Sequence, residues 1–447
     1  MSERLFGTDG IRGIANIYPT TVEMALAVGR AAGHLFQQEK RTHTILIGKD
    51  TRLSGYMFEN ALTAGLCSMG VNVLLVGPLP TPGVSYIMRS LRCDAGIMIS
   101  ASHNPFQYNG IKFFGPDGFK IPDDMEDAIA RLVTTHAIDD IRPTAEQIGT
   151  ARRIDDAVGR YIEFAKASFP KGMRLDGLKI VCDCANGASY KVGPNALSEL
   201  GAHVIPIGCQ PNGRNINEDC GSMHPENMRA TVIRERADVG IAFDGDGDRI
   251  LMADEEGQLL DGNGLLAVLA VDLLERNALP QNAVVTTIMA NGGLQNTLAA
   301  YGGKVIWTNV GDRWVVETMR EKGICLGGEP SGHMVLLEYN TTGDALIAAL
   351  QVLATMIRKD LPLSALASAY HALPEAHAAV PLNGKKLPEK TALNQIQVEH
   401  EAEMNGAGRV VIRPSGTEPV IRVMVQHESH RTAEMVLKNI VEKVSAL

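Results

Sequence analysis

The chain has 447 residues and a formal net charge of −9, with 45% apolar and 21% charged residues. One hydrophobic core rarely serves so long a chain, so three or four domains are expected. The negative charge argues against a nucleic-acid partner and requires local cations to attract any anionic substrate.

The sequence predicts a cytoplasmic protein without a membrane partner. Residues 1–20 contain no apolar signal-peptide core, and no uninterrupted apolar run approaches the length of a membrane span. Seven scattered cysteines, mostly within apolar runs, are typical of reduced, buried thiols. Cys182 and Cys184 are two residues apart in a predicted strand, so their side chains should face opposite ways, and a zinc site is not expected.

Three segments share one pattern, in which helical apolar spacing leads to a glycine and then to a short apolar run. These segments are Leu66–Val73, Leu197–Val204 and Leu298–Val305. Each predicts a helix that ends on its glycine and feeds a strand, and another apolar run lies upstream. Three such units in tandem indicate three related α/β domains.

Domain boundaries follow from changes in pattern. We place domain I at residues 1–152, domain II at 153–260, domain III at 261–370 and domain IV at 371–447. Residues 135–152 lack periodicity and suit a linker, whereas Ile154–Ser168 is helix-like. After the polar stretch 383–408, Val410–Val425 predicts a strand–loop–strand, followed by a terminal helix from Ala433. This last part lacks the repeat and predicts a smaller α+β domain.

Two glycine-rich, basic segments near the N-terminus are typical of phosphate contacts. They are Phe6–Gly13, which contains Arg12, and Gly48–Arg52, which contains Lys49. Either segment alone could be an ordinary turn.

The residues Ser100-Ala101-Ser102-His103-Asn104-Pro105 follow the apolar run Ala95–Ile99, at a predicted strand end. Ser102 could be a nucleophile or phosphate carrier, or only a helix cap. No G-x-S-x-G sequence supports acyl chemistry. Downstream, Tyr108–Lys112 predicts a hairpin turn that could return Lys112 to the serine, although a solvated lysine is the simpler interpretation.

The segment Asp244-Gly245-Asp246-Gly247-Asp248-Arg249 follows the apolar run Val239–Phe243. In an extended strand Asp244 and Asp248 would stand about 13 Å apart, too far to share an ion. Glycines let the backbone curl, which predicts a cage of hard oxygen ligands for Mg²⁺ or a similar cation at a strand end.

Two other interpretations of this segment are a solvated turn and an EF-hand loop. Three crowded carboxylates repel one another unless a cation neutralises them, which disfavours the turn. The EF-hand needs glycine at its sixth position, where Arg249 stands, although Glu255 falls at the twelfth. The metal cage is the preferred prediction.

Two later loops carry polar groups that suit a phosphorylated sugar. Gly327–His333 contains a carboxylate, a hydroxyl and an imidazole, which suit sugar hydroxyls and make His333 a candidate proton shuttle. Arg413–Pro419 offers an arginine, two hydroxyls and a glycine-freed backbone to one phosphate, with Arg422 in the following strand. An ordinary Pro/Gly turn is the alternative for the second loop.

Together these motifs resemble, in order and across essentially the whole chain, those of the α-D-phosphohexomutases. The opening F-G-T-D-G-I-R-G and the serine at position 100 resemble the branch that acts on glucosamine phosphates. The resemblance implies an α/β fold, with three tandem mixed α/β domains and a smaller C-terminal α+β domain around a central cleft.

The resemblance also implies the chemistry. Ser102 would be a phosphoserine, and Asp244, Asp246 and Asp248 would hold one Mg²⁺ together with a phosphoryl oxygen on Ser102. Glucosamine 6-phosphate and glucosamine 1-phosphate would interconvert through a 1,6-bisphosphate, on the route to UDP-N-acetylglucosamine and cell-wall precursors. Glucosamine or glucose 1,6-bisphosphate would be the intermediate or activator. A homodimer, and loading of Ser102 by a kinase or by self-phosphorylation, stay open.

Roles for further residues follow from the same resemblance. Those implied to surround the transferring phosphoryl group are Arg12, Lys49, Arg52, His103, Lys112 and Arg249. Those implied to read the sugar are Glu329 and Ser331, with His333 beside them. Those implied to hold the other phosphate are Arg413, Ser415, Gly416, Thr417 and Arg422. Lys112, His333 or another group could move the proton.

A phosphoglucomutase or phosphomannomutase is the nearest alternative, with the same residues acting on another hexose. A non-catalytic phosphosugar-binding protein is a more remote alternative, because the serine, the three aspartates and the phosphate loop occur together. A simple phosphatase is the third possibility and would release inorganic phosphate stoichiometrically.

Overall fold

The computed structural model describes residues 5–7, 9–37, 41–415 and 419–447, which form four β-sheets with flanking helices. The prediction of three mixed α/β domains followed by a smaller α+β domain is confirmed. Within the described residues, no helix combines the length and apolar character needed to cross a membrane.

The first sheet has six strands in the order β1-β5-β4-β2-β3-β6. Its strands are β1 (Ile11–Ile14), β2 (Thr44–Lys49), β3 (Asn72–Pro78), β4 (Ala95–Ile99), β5 (Tyr108–Phe114) and β6 (Ala151–Arg153). The helices of this part are α1 (Val22–Leu35), α2 (Gly55–Ser68), α3 (Thr81–Ser90) and α4 (Asp123–Thr134). Strands β4, β2, β3 and β6 are parallel, whereas β5 is antiparallel to both β4 and β1.

The second sheet has the order β11-β10-β9-β7-β8. Helix α5 (Ala157–Ala167) precedes it, in place of the helix-like stretch from Ile154. The following elements are β7 (Lys179–Asp183), α6 (Val192–Glu199), β8 (His203–Ile207), α7 (Glu226–Glu235), β9 (Val239–Phe243), β10 (Ile250–Ala253) and β11 (Leu259–Leu260).

The third sheet has the order β13-β12-β14-β15. Its elements are α8 (Gly262–Glu275), β12 (Ala283–Thr287), α9 (Gly293–Ala300), β13 (Lys304–Thr308), α10 (Asp312–Lys322), β14 (Leu326–Gly328), β15 (Met334–Leu336), α11 (Ala345–Lys359) and α12 (Leu363–Ala367). The three repeated segments thus end the units β2–α2–β3, β7–α6–β8 and β12–α9–β13, and each pair of strands is parallel.

The fourth sheet is antiparallel, with the order β16-β18-β17. Its elements are β16 (Glu375–Pro381), α13 (Lys390–Glu403), β17 (Gly408–Pro414), β18 (Val420–His427) and α14 (His430–Ala446). Helix α13 lies within the polar stretch 383–408, where the sequence analysis predicted no element.

One apolar core runs through the first three sheets, and the fourth has its own. Tyr161 of α5, Leu265 of α8 and Leu350 of α11 belong to the shared core. The separate core of the fourth sheet includes Val425 and Ile440. The first three parts therefore pack as one body, to which the fourth is attached.

Two local predictions are wrong. The segment 135–152 is not wholly a linker, because β6 begins at Ala151 and pairs with β3. Gly149 allows this approach, since a Cβ there would lie 2.1 Å from the Val71 carbonyl oxygen. Cys182 and Cys184 do not face opposite ways: their sulfur atoms lie 3.7 Å apart because Cys184 follows the end of β7, where the chain turns.

The predicted hairpin turn at Tyr108–Lys112 is also wrong, because these residues lie in the buried strand β5. Gly110 is needed there for close packing and not for a turn. A Cβ on Gly110 would lie 2.7 Å from the Ser100 carbonyl oxygen and 2.8 Å from that of Ile11. The strand nevertheless carries Lys112 back beside the end of β4.

Candidate active site

Ser102 lies in the loop after β4, in a left-handed backbone conformation with φ 49°. Its N–H donates to Ser100 Oγ at 2.9 Å, and the Ser100 hydroxyl donates to Asp50 at 2.7 Å. These bonds orient the loop so that the Ser102 side chain points away from the first sheet's core and toward the second sheet.

Arg52 holds the shape of this loop from inside. Its guanidinium donates to the carbonyl oxygens of Ser102, Asn104, Pro105 and Tyr108 and to the Asp50 carboxylate, over 2.5–3.1 Å. Its side chain is fully buried. All the N–H donors of Arg52 bond to the protein itself, and its implied role at the phosphoryl group stays a prediction.

The Lys49 side chain also has partners within the protein. Its ammonium lies 2.6 Å from Glu59 Oε2 and 3.7 Å from the centre of the Tyr56 ring, and its side chain is 2% exposed. This pair links β2 to α2, and the implied place of Lys49 beside the phosphoryl group stays a prediction.

The metal loop, Asp244–Arg249, follows β9 and turns sharply, with Gly247 at φ 70°. One ligand oxygen from each of Asp244, Asp246 and Asp248 lies within 4.8 Å of the others, and all three side chains are buried. Asp246 Oδ1 and Asp248 Oδ1 are buried without a hydrogen-bond partner. Such orphaned carboxylate oxygens fit a hard divalent cation.

The serine and the metal loop meet directly. Ser102 Oγ donates to Asp244 Oδ2 at 2.6 Å, although the two residues belong to different sheets. Gly245 permits the approach, since a Cβ there would lie 2.6 Å from the Ser102 carbonyl oxygen. A phosphoryl group on Ser102 would therefore stand next to the three carboxylates.

Neighbouring charges shift the pKa values of carboxylates in the metal loop. Burial, together with Asp248 and Asp246, raises the pKa of Asp244 well above its usual value. The pKa of Asp248 is lowered despite burial, because Lys112, His333 and Arg249 stabilise its charged form. A bound cation would favour the charged form of Asp244.

Lys112 provides part of that positive charge. Its ammonium lies 3.1 Å from Asp246 Oδ2, 3.7 Å from Asp248 Oδ2 and 3.1 Å from Asp9 Oδ2. Burial would lower its pKa, but these carboxylates outweigh burial and raise it. Arg12 joins the group through Asp9 at 2.6 Å.

Two histidines flank the centre and differ in charge. His103 Nδ1 lies 3.4 Å from Ser102 Oγ, and burial with nearby Arg249 and Arg12 lowers its pKa to about 4. His333 lies 3.8 Å from Asp248, and the surrounding carboxylates raise its pKa although burial opposes this. At neutral pH His103 is therefore the neutral partner of the serine.

The loop Gly327–His333, here called the sugar loop, contacts the metal loop through its backbone. Arg249 and His333 form an antiparallel bridge, and the Ile250 N–H donates to the Gly332 carbonyl at 3.0 Å. Burial is the largest influence on Glu329 and raises its pKa. The Glu329 carboxylate accepts a hydrogen bond from the Gly311 N–H at 3.2 Å. Ser331 is exposed at the tip of the loop.

The described ends of the predicted phosphate loop, Arg413–Ser415 and Pro419, lie in or next to β17 and β18 of the fourth sheet. Arg413 and Arg422 stand directly opposite each other on β17 and β18. They line a cavity of about 250 Å³, and Arg413 Nε is buried without a partner. Two guanidinium groups on facing strands can donate charge-assisted hydrogen bonds to one anion. Ser415 follows β17 and its N–H donates to Val420, while Gly416 and Thr417 lie outside the described residues.

Several residues at the centre were missed by the sequence analysis. Thr81 at the start of α3 donates its hydroxyl to Asp246 Oδ2 at 2.7 Å. Lys120 bridges Asp9 and Asp312. Asn217 donates to the carbonyls of the Ser102 loop. A Thr-Pro pair is a helix-start signal for Thr81, but no local pattern marks Lys120 or Asn217, because their partners are distant in sequence.

Comparison with known families identifies the class. Models of the phosphoglucomutase/phosphomannomutase family match the chain as α/β/α domain I over residues 3–138, domain II over 159–257 and domain III over 261–373. The C-terminal domain matches over residues 369–443. The chain therefore belongs to the phosphoglucomutase/phosphomannomutase family.

Individual relatives are more specific. The chain is 53% identical to a phosphoglucosamine mutase of Geotalea uraniireducens, over 98% of each protein. It is similar in fold, with a TM-score of 0.83 and 25% identity, to a family protein of Burkholderia thailandensis, over 100% of this chain and 98% of the other. A more distant neighbour is Aspergillus fumigatus N-acetylphosphoglucosamine mutase in complex with GlcNAc-6P and magnesium. It has 19% identity and a TM-score of 0.64, over 99% of this chain and 95% of the other.

Proposed function

We propose that the chain acts as a phosphoglucosamine mutase, which interconverts glucosamine 6-phosphate and glucosamine 1-phosphate through a phosphoserine at position 102. The relatives at 53–55% identity support the sugar class. The direct contact of Ser102 Oγ with Asp244 is the observation that carries the mechanism.

Phosphoryl transfer from Ser102 breaks its Oγ–P bond and forms a bond to a sugar hydroxyl oxygen. In the forward half-reaction that oxygen is O1 of glucosamine 6-phosphate, and a 1,6-bisphosphate results. In the second half-reaction the phosphoryl group on O6 returns to Ser102. The sugar must reorient between the two steps, so the opposite site has to bind a phosphate at either end.

Charge stabilisation is the main task of the residues around Ser102. We propose that Asp244, Asp246 and Asp248 hold one Mg²⁺, the ion present in the complex of the Aspergillus neighbour. When bound, Mg²⁺ would offset charge on the transferring group. Lys112, held cationic by Asp246 and Asp9, would add a fixed positive charge, together with Arg12 and Arg249.

The remaining residues would handle the sugar and its other phosphate. Glu329 and Ser331 would read hydroxyls, and Arg413 and Arg422, with Ser415, Gly416 and Thr417, would bind the non-reacting phosphate. Neutral His103, 3.4 Å from Ser102 Oγ, is positioned to take or return a proton there, and His333 would act on the sugar side.

The test measures turnover with glucosamine, glucose and mannose 6-phosphates in coupled assays, with release of inorganic phosphate followed in parallel. We expect the highest kcat/KM for glucosamine 6-phosphate and almost no phosphate release. A higher kcat/KM for glucose or mannose 6-phosphate would contradict the sugar assignment. Stoichiometric phosphate release would identify a phosphatase.

The carrier role of Ser102 is tested by Ser102→Ala, with the exposed Ser90→Ala as the matched control. Ser102→Ala should lower kcat by about 10³-fold or more, because no phosphoenzyme can form. Intact mass after incubation with glucose 1,6-bisphosphate should show one added phosphoryl group in the wild type and in Ser90→Ala only. Substantial turnover by Ser102→Ala would refute the carrier role.

A further inference from the structure

Asn217 lies where the Ser102 loop and the metal loop meet, although it belongs to neither. It stands in the long connection between β8 and α7, and its side chain is buried. Its Nδ2 donates to the carbonyl oxygens of Ser102 at 2.9 Å and Asn104 at 3.0 Å. Its own N–H donates to the Ala185 carbonyl at 2.9 Å, which ties it to the loop after β7.

The same two carbonyls also accept bonds from Arg52, at 2.8 and 2.7 Å. Arg52 comes from the first sheet, as does the Ser102 loop, so its bonds fix the shape of the loop within one domain. Asn217 comes from the second sheet, so its bonds fix where that loop sits relative to another domain. Arg52 and Asn217 therefore bind the same two carbonyl oxygens for different reasons: Arg52 fixes the shape of the loop, and Asn217 fixes its position against the second domain.

The second domain is also the one that carries the metal loop. A Cβ on Gly245 would lie 2.6 Å from the Ser102 carbonyl oxygen and 2.9 Å from Asn217 Nδ2, so all three groups are in close packing. The Gly245 carbonyl accepts a bond from the Ala188 N–H at 2.8 Å. Ala188 lies in the segment after β7, which also binds Asn217 through the Ala185 carbonyl. Asn217 and Gly245 thus share one support on the second sheet.

We infer that Asn217 is a positioning residue, which holds the Ser102 loop at the distance from the Asp244–Asp248 carboxylates that phosphoryl transfer requires. The inference rests on the proposed mutase function and assigns Asn217 no contact with substrate. Without its amide, Arg52 would keep the loop folded, but the loop could shift relative to the metal loop. A misplacement of about 1 Å at the reacting atoms costs on the order of 100-fold in rate.

The backbone of Asn217 allows the amide to be tested separately from the turn. Asn217 has φ 58°, in the left-handed region where Asn, Asp and Gly are tolerated. Asn217→Gly keeps that conformation and removes the amide, whereas Asn217→Asp keeps shape and conformation and removes the donor. Asp219 in the same connection has φ 51° and is exposed, so Asp219→Gly is the matched control.

The experiment compares the three variants with the wild type by kcat and KM for glucosamine 6-phosphate, by Mg²⁺ titration of activity, and by thermal unfolding. We expect Asn217→Gly and Asn217→Asp to lower kcat by about 10- to 100-fold. The KM for the sugar phosphate should stay unchanged within about threefold, and the Mg²⁺ concentration for half-maximal activity should rise. Asp219→Gly should behave as the wild type.

Two results would overturn the inference. One is a kcat of Asn217→Gly within twofold of the wild type. The other is a loss of kcat in both Asn217 variants that only follows a loss of folded protein, which would make Asn217 a stability residue. Absence of mutase turnover in the wild type itself would instead overturn the proposed function, so the two failures are distinct.

Discussion

Arg52 and Lys112 are both buried basic residues near Ser102, but they have different partners. The five N–H groups of Arg52 are arranged as a planar fork: four donate to carbonyl oxygens of the loop from Ser102 to Tyr108, and the fifth donates to Asp50. Lys112 is equally buried, yet its partners are the carboxylates of the metal loop and Asp9. Arg52 therefore builds the site, while Lys112 supplies charge within it.

Arg52→Lys should destabilise the fold as well as the activity. A lysine cannot reproduce the fork, because its three donors cannot serve the five buried acceptors of Arg52. Each buried acceptor left without a partner costs about 1–3 kcal/mol in the free energy of unfolding. Urea unfolding measures the change, with the exposed Arg92→Lys as control. A large loss of activity at unchanged unfolding free energy would show instead that Arg52 contacts the phosphoryl group.

At the scale of elements, strand pairing brings together the two arginines of the proposed phosphate site on the fourth sheet. Arg413 and Arg422 are nine residues apart in sequence, but the antiparallel register of β17 and β18 puts them face to face. Burial and the opposing Arg422 lower the pKa of Arg413. Two opposed guanidinium groups can bind one phosphate through charge-assisted hydrogen bonds from both sides.

Arg413→Ala should therefore weaken substrate binding without weakening the fold. Loss of a charge-assisted hydrogen bond, worth about 1.5–3 kcal/mol, predicts a fall in kcat/KM of roughly 10- to 150-fold. Steady-state kinetics measure this fall, and thermal unfolding with and without glucosamine 6-phosphate should show a smaller stabilisation by ligand. Arg431→Ala, on the exposed start of α14, serves as control. Equal effects of the two substitutions would contradict a phosphate site at Arg413.

The elements that the sequence predicted well are those with local signals. Helical spacing that ends on Gly70, Gly201 and Gly302 marks three real strand–helix–strand units, and all three glycines have positive φ. The curled metal loop was also predictable, because three carboxylates at that spacing need glycines and a cation.

Elements held by distant contacts were not predictable in this way. Strand β6 has only exposed residues and exists because it pairs with β3. Asn109-Gly110 has the composition of a turn but lies in β5, where the small glycine fits between the Ser100 and Ile11 carbonyls. Arg52 and Lys49 sit in a basic, glycine-rich segment typical of phosphate contacts, and only tertiary structure reveals their internal partners.

At the scale of the whole molecule, the first three domains share a continuous core, and polar bridges reinforce their contacts. Lys120 lies between Asp9 of the first domain and Asp312 of the third. Thr81 of the first domain holds Asp246 of the second. We propose boundaries after residues 152, 260 and 370. The proposed catalytic centre lies at these junctions, so its geometry depends on how the domains are packed.

In this arrangement the proposed cation site depends on two domains and on phosphorylation of Ser102. The second domain supplies three carboxylates, and Ser102 of the first domain stands 2.6 Å from one of them. Mg²⁺ takes oxygen ligands and is commonly held by a few carboxylates together with phosphate oxygens. A phosphoryl group on Ser102 would add such an oxygen and more negative charge, whereas the unmodified hydroxyl donates a hydrogen bond to Asp244 and competes with the cation.

Phosphorylation of Ser102 should therefore tighten Mg²⁺ binding by about 10-fold or more, equivalent to at least about 1.4 kcal/mol. Isothermal titration of the phosphorylated and unphosphorylated forms, separated by anion exchange, measures the two dissociation constants. Asp246→Asn should weaken binding in both forms, since it removes a ligand oxygen that is buried without another partner. Dissociation constants that agree within twofold between the two forms would mean that the three aspartates bind the cation alone, without the carrier serine.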